Sequence, residues 1–208
     1  MTRAPAAVLA GLVLVLGGCA SSSEGGPTEV SATPAATAEA GSDRPFGIDC
    51  SAVPRTGEGS FVGMADDRVA TAGSRTPAMA RWTEALRAAA LEASFEAQED
   101  VTVLAPVDAA FAAVPPDAMA ALQADTPQLT ALLTHHVIQG RLAPERLAGT
   151  HTTLNNDQVT IDVSPKAFTV AAGGTLVAAA PSTVICGNVQ TVNATVYLID
   201  QVLTPPAA

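Results

Sequence analysis

The chain has 208 residues, a formal charge of −10, and 48% apolar but only 3% aromatic residues. Once a leader is set aside, that length holds one domain and a linker, and the core must be built from Val, Leu, Ile and Ala. The cations are dispersed Arg with a single Lys, Lys166, which excludes both the basic patch of a nucleic-acid binder and attraction by charge to an anionic membrane.

In chain order, Arg3 precedes an apolar stretch from Ala4 to Leu16, and two glycines lead into Cys19. Charge, short apolar core and small-residue exit are the parts of a secretory signal peptide. The apolar core falls short of the about 20 residues that cross a bilayer. Leu16-Gly17-Gly18-Cys19 also resembles a bacterial lipobox, in which the cysteine thiol takes diacylglycerol and the chain is cut before it. On that resemblance residues 1–18 are a lipoprotein signal peptide and Cys19 is the lipidation site. The protein is then held on the outer face of the cell membrane, or is extracellular where the anchor is absent or shed. An ordinary signal peptide that contains a cysteine is the alternative. Residues 19–45 are Ser, Gly, Thr, Ala, Pro and Glu with almost nothing to bury, which predicts a disordered tether. A coil of that length spans on the order of 30 Å.

The folded domain is expected over 46–206. Val62, Ala65 and Val69 stand at helical spacing. Thr76-Pro77 offers an N-cap and a proline for a long helix whose inward face is Met79, Trp82, Leu86, Ala89, Ala90 and Ala93. Val101–Leu104 reads as a short strand broken by Pro106, with Asp108 capping the next helix. Further helices start at Pro115-Pro116, with Met119 and Leu122 inward, and at Thr126-Pro127, with Leu129, Leu132, Leu133 and His136 on one stripe. After Gly149 the period changes to two: Val159-Thr160-Ile161-Asp162-Val163, then Phe168-Thr169-Val170, Val184–Cys186, Val189–Val192 and Thr195–Ile199 read as strands. Helices first and strands second predict an α+β domain, a helical layer on a mainly antiparallel sheet. Cys50 and Cys186 in an exported chain read as one disulfide; two free thiols or intermolecular pairing are the alternatives.

Three separated segments carry a resemblance. Thr102-Val103-Leu104-Ala105-Pro106-Val107-Asp108-Ala109-Ala110-Phe111 looks like the first box of the fasciclin domain. Val196-Tyr197-Leu198-Ile199-Asp200-Gln201-Val202-Leu203-Thr204-Pro205 looks like its second. Leu132-Leu133-Thr134-His135-His136-Val137-Ile138-Gln139-Gly140 is similar to its Tyr-His motif, with His135 where tyrosine is usual. The cysteine pair and Asn193-Ala194-Thr195 resemble in particular the secreted and lipid-anchored fasciclin-type antigens of mycobacteria and related actinobacteria. The resemblance implies a wedge-shaped sheet under a helical layer, and adhesion without catalysis. By residue match it points to His136, Val137 and Ile138 as partner contacts.

The remaining candidates for chemistry read as structural. His135 and His136 are adjacent, and side chains one residue apart on a helix point about 100° apart, against the i, i+3 or i, i+4 spacing of helical metal ligands. His136 reads as a core histidine and His135 as the more exposed of the two. Asp66-Asp67 and Glu92, Glu96, Glu99 and Asp100 read as solvated faces, and Asn193-Ala194-Thr195 as a turn. No catalytic, cofactor or metal residue is assigned. The expectation is a lipid-anchored, monomeric, non-catalytic adhesion or binding module. Its partner is a cell-surface or matrix protein or glycan, with membrane contact through Cys19. The alternative is an envelope carrier of a small ligand such as a lipid or wall fragment.

Overall fold

Two segments rich in β-branched residues, Val101–Pro106 and Ala194–Ile199, lie parallel at the middle of a sheet, paired from Val101↔Ala194 to Pro106↔Ile199. The computed structural model describes residues 44–165, 167–177 and 180–206. The expected signal peptide, Cys19 and the expected tether up to residue 43 lie outside them. The strands are β1 (Val101–Pro106), β2 (Val137–Gln139), β3 (Gly149–Thr152), β4 (Gln158–Val163), β5 (Phe168–Val170), β6 (Ser182–Gln190) and β7 (Ala194–Ile199). Their order across the sheet is β2-β1-β7-β6-β5-β4-β3. Every pairing except β1–β7 is antiparallel. The sheet curls on itself: Ile138 bridges Thr153, and Leu154 N donates to Val137 O at 2.7 Å.

The helices are α1 (Phe61–Ala65), α2 (Val69–Arg75), α3 (Ala80–Ala88), α4 (Glu92–Ala97), α5 (Asp108–Ala112), α6 (Pro116–Ala124), α7 (Thr126–His135) and α8 (Pro144–Leu147). The central strands are buried on both faces, so neither has the wet face that alternation alone suggests. Val101, Val103 and Ala105 with Ala194, Val196 and Leu198 face the helices around Trp82, Leu86 and Phe111. Leu104, Tyr197 and Ile199 face a second core inside the curl, with Ile138, Leu147 and Ile161. Such full burial of a large apolar side chain stabilises by roughly 1.5–3 kcal/mol. In β4 the alternation holds: Val159 and Ile161 are buried while their neighbours are exposed.

Several expectations are corrected. The 61–72 segment is two helices, and Val62 is 76% exposed. The long helix breaks after Ala89, because Ala90 takes a left-handed φ of 55°; Ala90 and Ala93 are exposed. Thr76 does not cap with its side chain; its hydroxyl donates back to Ala72 O at 2.9 Å. The cap of α7 is Asp125, which accepts Gln128 N at 3.1 Å, with Thr126 inside the helix. Met119 and Leu122 are only half-buried. The segments at 184–186 and 189–192 are not two strands: β6 runs through to Gln190 with register shifts, and Val192 is an exposed turn residue. The last strand does end at Ile199 as its period has it, and Asp200 Oδ1 just beyond accepts Thr183 N at 2.6 Å.

The start of the domain is strapped across β6. Phe46 and Gly187 exchange backbone hydrogen bonds at 3.1 and 2.7 Å, and Asp49 N donates to Ile185 O at 3.0 Å. Gly47 has a φ of +134° and lies so close to β6 that a Cβ would stand 2.2 Å from Ile185 O; only glycine fits. Cys50 and Cys186 close the strap as a disulfide of S–S 2.01 Å, spanning 136 residues.

Candidate functional site

The leucines of α7 (Leu129, Leu132 and Leu133) dock that helix on the core and carry His135 and His136 to its C-terminal end. His136 is fully buried. Its Nδ1–H donates to Leu132 O at 2.8 Å, and its Nε2 accepts Leu203 N at 3.0 Å. Its ring centroid is 5.3 Å from that of Trp82. Burial pushes its pKa down to about 3, against the Leu132 hydrogen bond that raises it, so the ring is neutral. The core-histidine expectation for His136 holds.

His135 is also buried, 3% exposed, which corrects its reading as the exposed member of the pair. The reason is Asp157, on the turn between β3 and β4. His135 Nδ1–H donates to Asp157 Oδ1 at 2.6 Å. Thr153 Oγ1 donates to the same oxygen, and Asn155 Nδ2 to Oδ2 at 2.7 Å. Burial favours the neutral carboxyl, but the bonds from Thr153, Asn155 and His135 outweigh it and hold Asp157 below the ordinary carboxylate range. His135 thereby locks the end of α7 to the β3–β4 turn. Asn156, in the turn next to Asp157, is exposed, and so are Gln139 and Gly140 at the end of β2.

Val137 and Ile138 are 0% and 1% exposed, like His136. The three expected partner contacts are core residues on the end of α7 and on β2, and their side chains offer no surface to a partner. His151, the third histidine, donates from Nε2 to Leu147 O at 2.8 Å and joins neither of the others.

Other polar side chains of the motifs also satisfy backbone groups. Asp108 is the first residue of α5, whose cap position is Val107. Its Oδ1 accepts Arg81 N at 2.8 Å, so it caps α3 and leaves Ala110 and Phe111 to the backbone of Val107. Asn193, wholly buried, accepts Val69 N at 2.8 Å and donates to Phe95 O and Gln98 O at 3.0 and 2.9 Å. It binds the start of α2 and the end of α4 to the β6–β7 turn. Arg141 grips the same turn from outside, donating to the carbonyls of Ala194, Thr191 and Val192 at 3.0–3.1 Å. Carboxylates read as solvated do similar work: Glu96 accepts Thr71 N at 2.7 Å, and Asp67 pairs with Arg75 at 2.7 Å.

Sequence reasoning missed Asp157 and the role of Asn193. The run Thr153-Leu154-Asn155-Asn156-Asp157 is a turn signal, but nothing in it names a partner 22 residues earlier. Among the described residues no three His, Cys, Asp or Glu side chains converge as a metal site, and no helix is long and apolar enough to cross a membrane.

The model of the family described as Fasciclin domain matches residues 77–205. The cell surface glycolipoprotein MPT83 of Mycobacterium tuberculosis is 39% identical over 163 residues, covering 73% of this chain and 67% of that protein. The immunogenic protein MPT70 of the same species is 36% identical over 161 residues, covering 73% of this chain and 76% of that one. Among solved structures, a FAS1 domain pair from the insect cell adhesion molecule fasciclin I aligns with a TM-score of 0.47 and 24% identity. That alignment covers 64% of this chain and 47% of the pair.

Proposed function

The chain belongs to the fasciclin-domain family, and from that premise we propose that it is a lipid-anchored, non-catalytic binding module displayed on a bacterial cell surface. The observation that carries this reading is the 39% identity to a cell surface glycolipoprotein over 163 residues. The Leu-Gly-Gly-Cys sequence ending at Cys19 supports the anchor. The internal bonding of the motif residues supports the absence of catalysis: a general base must reach a reacting group, whereas His136 and Asp157 are consumed in holding the fold together.

The contact surface in this reading comprises exposed Asn156 on the β3–β4 turn and exposed Gln139 and Gly140 at the end of β2. The buried His136, Val137 and Ile138 act beneath it as its support. The partner is a surface or matrix protein or glycan.

Metabolic labelling tests the display. Cells given a palmitate analogue should label the wild-type chain, and protease added to intact cells should remove it. Cys19→Ala should abolish the label. Wild-type chain that takes no label, or that survives protease on intact cells, would contradict the anchored reading.

A further inference from the structure

The α6 helix is seated unlike its neighbours. None of its residues is fully buried, and Met119 and Leu122 rest half-buried over an apolar slot. The slot lies against α3 and α7, lined by Ala85, Leu129 and Val202 with the Phe111 ring beside it, and is narrow, about 30 Å³. On one side of α6 it meets a groove of about 440 Å³ between Phe111, Pro116 and Ala120. On the other side Leu122 separates it from a groove of about 500 Å³ beside Leu176, Pro205 and Pro206.

The two grooves differ in charge. Arg81 is the only charged residue on the first. Its guanidinium has no ion pair or hydrogen bond in the described structure, although its own backbone N–H is held by Asp108. Glu84 lines the slot but not the first groove. The second groove has no charged side chain. A ligand matched to this path has an anionic head on the Arg81 side and an apolar tail on the proline side. Crossing beneath a helix of about 10–12 Å diameter takes an extended chain at least that long.

We infer that α6 is a clamp over one long-chain fatty acid, its carboxylate at Arg81 and its tail passing Leu122 toward Pro205-Pro206. The narrow slot is the closed state; the tail enters when α6 lifts on its Met119 and Leu122 contacts. The inference stands apart from the surface-display reading, and either can fail without the other.

The test uses the full chain with Cys19→Ser, so that it bears no lipid of its own, and a fluorescent acyl probe displaced by palmitate, hexadecanol or octanoate. Palmitate should displace the probe saturably at one per chain. It should bind about tenfold tighter than hexadecanol, one charge-assisted contact's worth. Octanoate should be far weaker, since each buried methylene is worth about fourfold. Arg81→Gln should erase the preference for palmitate over hexadecanol, and Ala85→Phe, filling the slot, should abolish binding of both. Should Ala85→Phe not fold, a diazirine palmitate should crosslink at Met119 or Leu122. Non-saturable uptake, equal binding of palmitate and hexadecanol, or crosslinks away from α6 would each overturn the inference. So would grooves closed by self-association of the chain with no palmitate bound.

Discussion

His136 and Leu203 are joined across the core: the imidazole Nε2 accepts the Leu203 backbone N–H at 3.0 Å, while Nδ1–H donates to Leu132 O at 2.8 Å. One neutral ring thus fastens the C-terminal segment to the end of α7, and it can do so only in the unprotonated state.

The pH dependence of stability follows. The pKa of His136 is about 3 in the folded chain, against 6.5 ordinarily. The unfolded chain therefore takes up a proton below 6.5 that the folded chain refuses. The stability contribution is complete above pH 6.5 and is lost as pH falls from there toward 3, on the order of 3–5 kcal/mol in total. Asp157, held low, acts with the same sign at the acid end: its contribution is lost as pH falls through its folded value. Urea denaturation across this range should show stability falling steadily with acid, with a flatter slope in His136→Gln.

Asn193 is wholly buried and makes three hydrogen bonds that bulk solvent cannot reach to replace. Asn193→Ala should cost about 2–4 kcal/mol, since each buried group left unpaired costs about 1–3 kcal/mol and the three are not additive. Asn193→Asp should be worse. Its carboxylate keeps the bond from Val69 N but faces the carbonyls of Phe95 and Gln98, so its deficit should grow as pH rises and the group ionises. Chemical denaturation of the two variants at acid and neutral pH checks the order.

Asp108 caps a helix other than its own. Asp108→Ala should cost about 0.5–2 kcal/mol, the ordinary worth of a cap. Hydrogen exchange should report the loss at Arg81 in α3, with the α5 amides unchanged. Faster exchange confined to α5 would contradict the assignment.

How far the sequence disclosed these features depended on whether the cause was local. The strand at Val101–Leu104, the leucine stripe of α7 and the cysteine pair follow from period and export context, whereas Pro106, read as the breaker, is the last paired residue of β1. The break at Ala90 does not, because a left-handed alanine is imposed by packing. The partners of Asp108, His135 and Asn193 lie 27, 22 and about 95–124 residues away. Local chemistry names a donor or acceptor at each position but not the distant group it serves. The resemblance named His136, Val137 and Ile138 as contacts, but it could not show that Val137 and the Trp82-packed His136 belong to the first core and Ile138 to the second.

The disulfide joins Cys50 to a strand 136 residues on. Closing a loop of that length constrains the unfolded chain by up to about 4–5 kcal/mol in the chain-entropy view, or roughly 10 °C in Tm for a domain of this size. Cys50→Ser/Cys186→Ser, and the wild type under reductant, should melt earlier by similar amounts. A reductant effect that persists in the double variant would point away from this bond.

The most direct test of the proposed role is a solid-phase binding assay of the full chain on immobilised matrix proteins and glycans, with an inert lipoprotein as the baseline. Saturable binding above that baseline is predicted, reduced at least tenfold by Gln139→Ala/Asn156→Ala with the melting temperature unchanged. Binding no greater than the inert lipoprotein, or binding indifferent to that double substitution, would contradict the account.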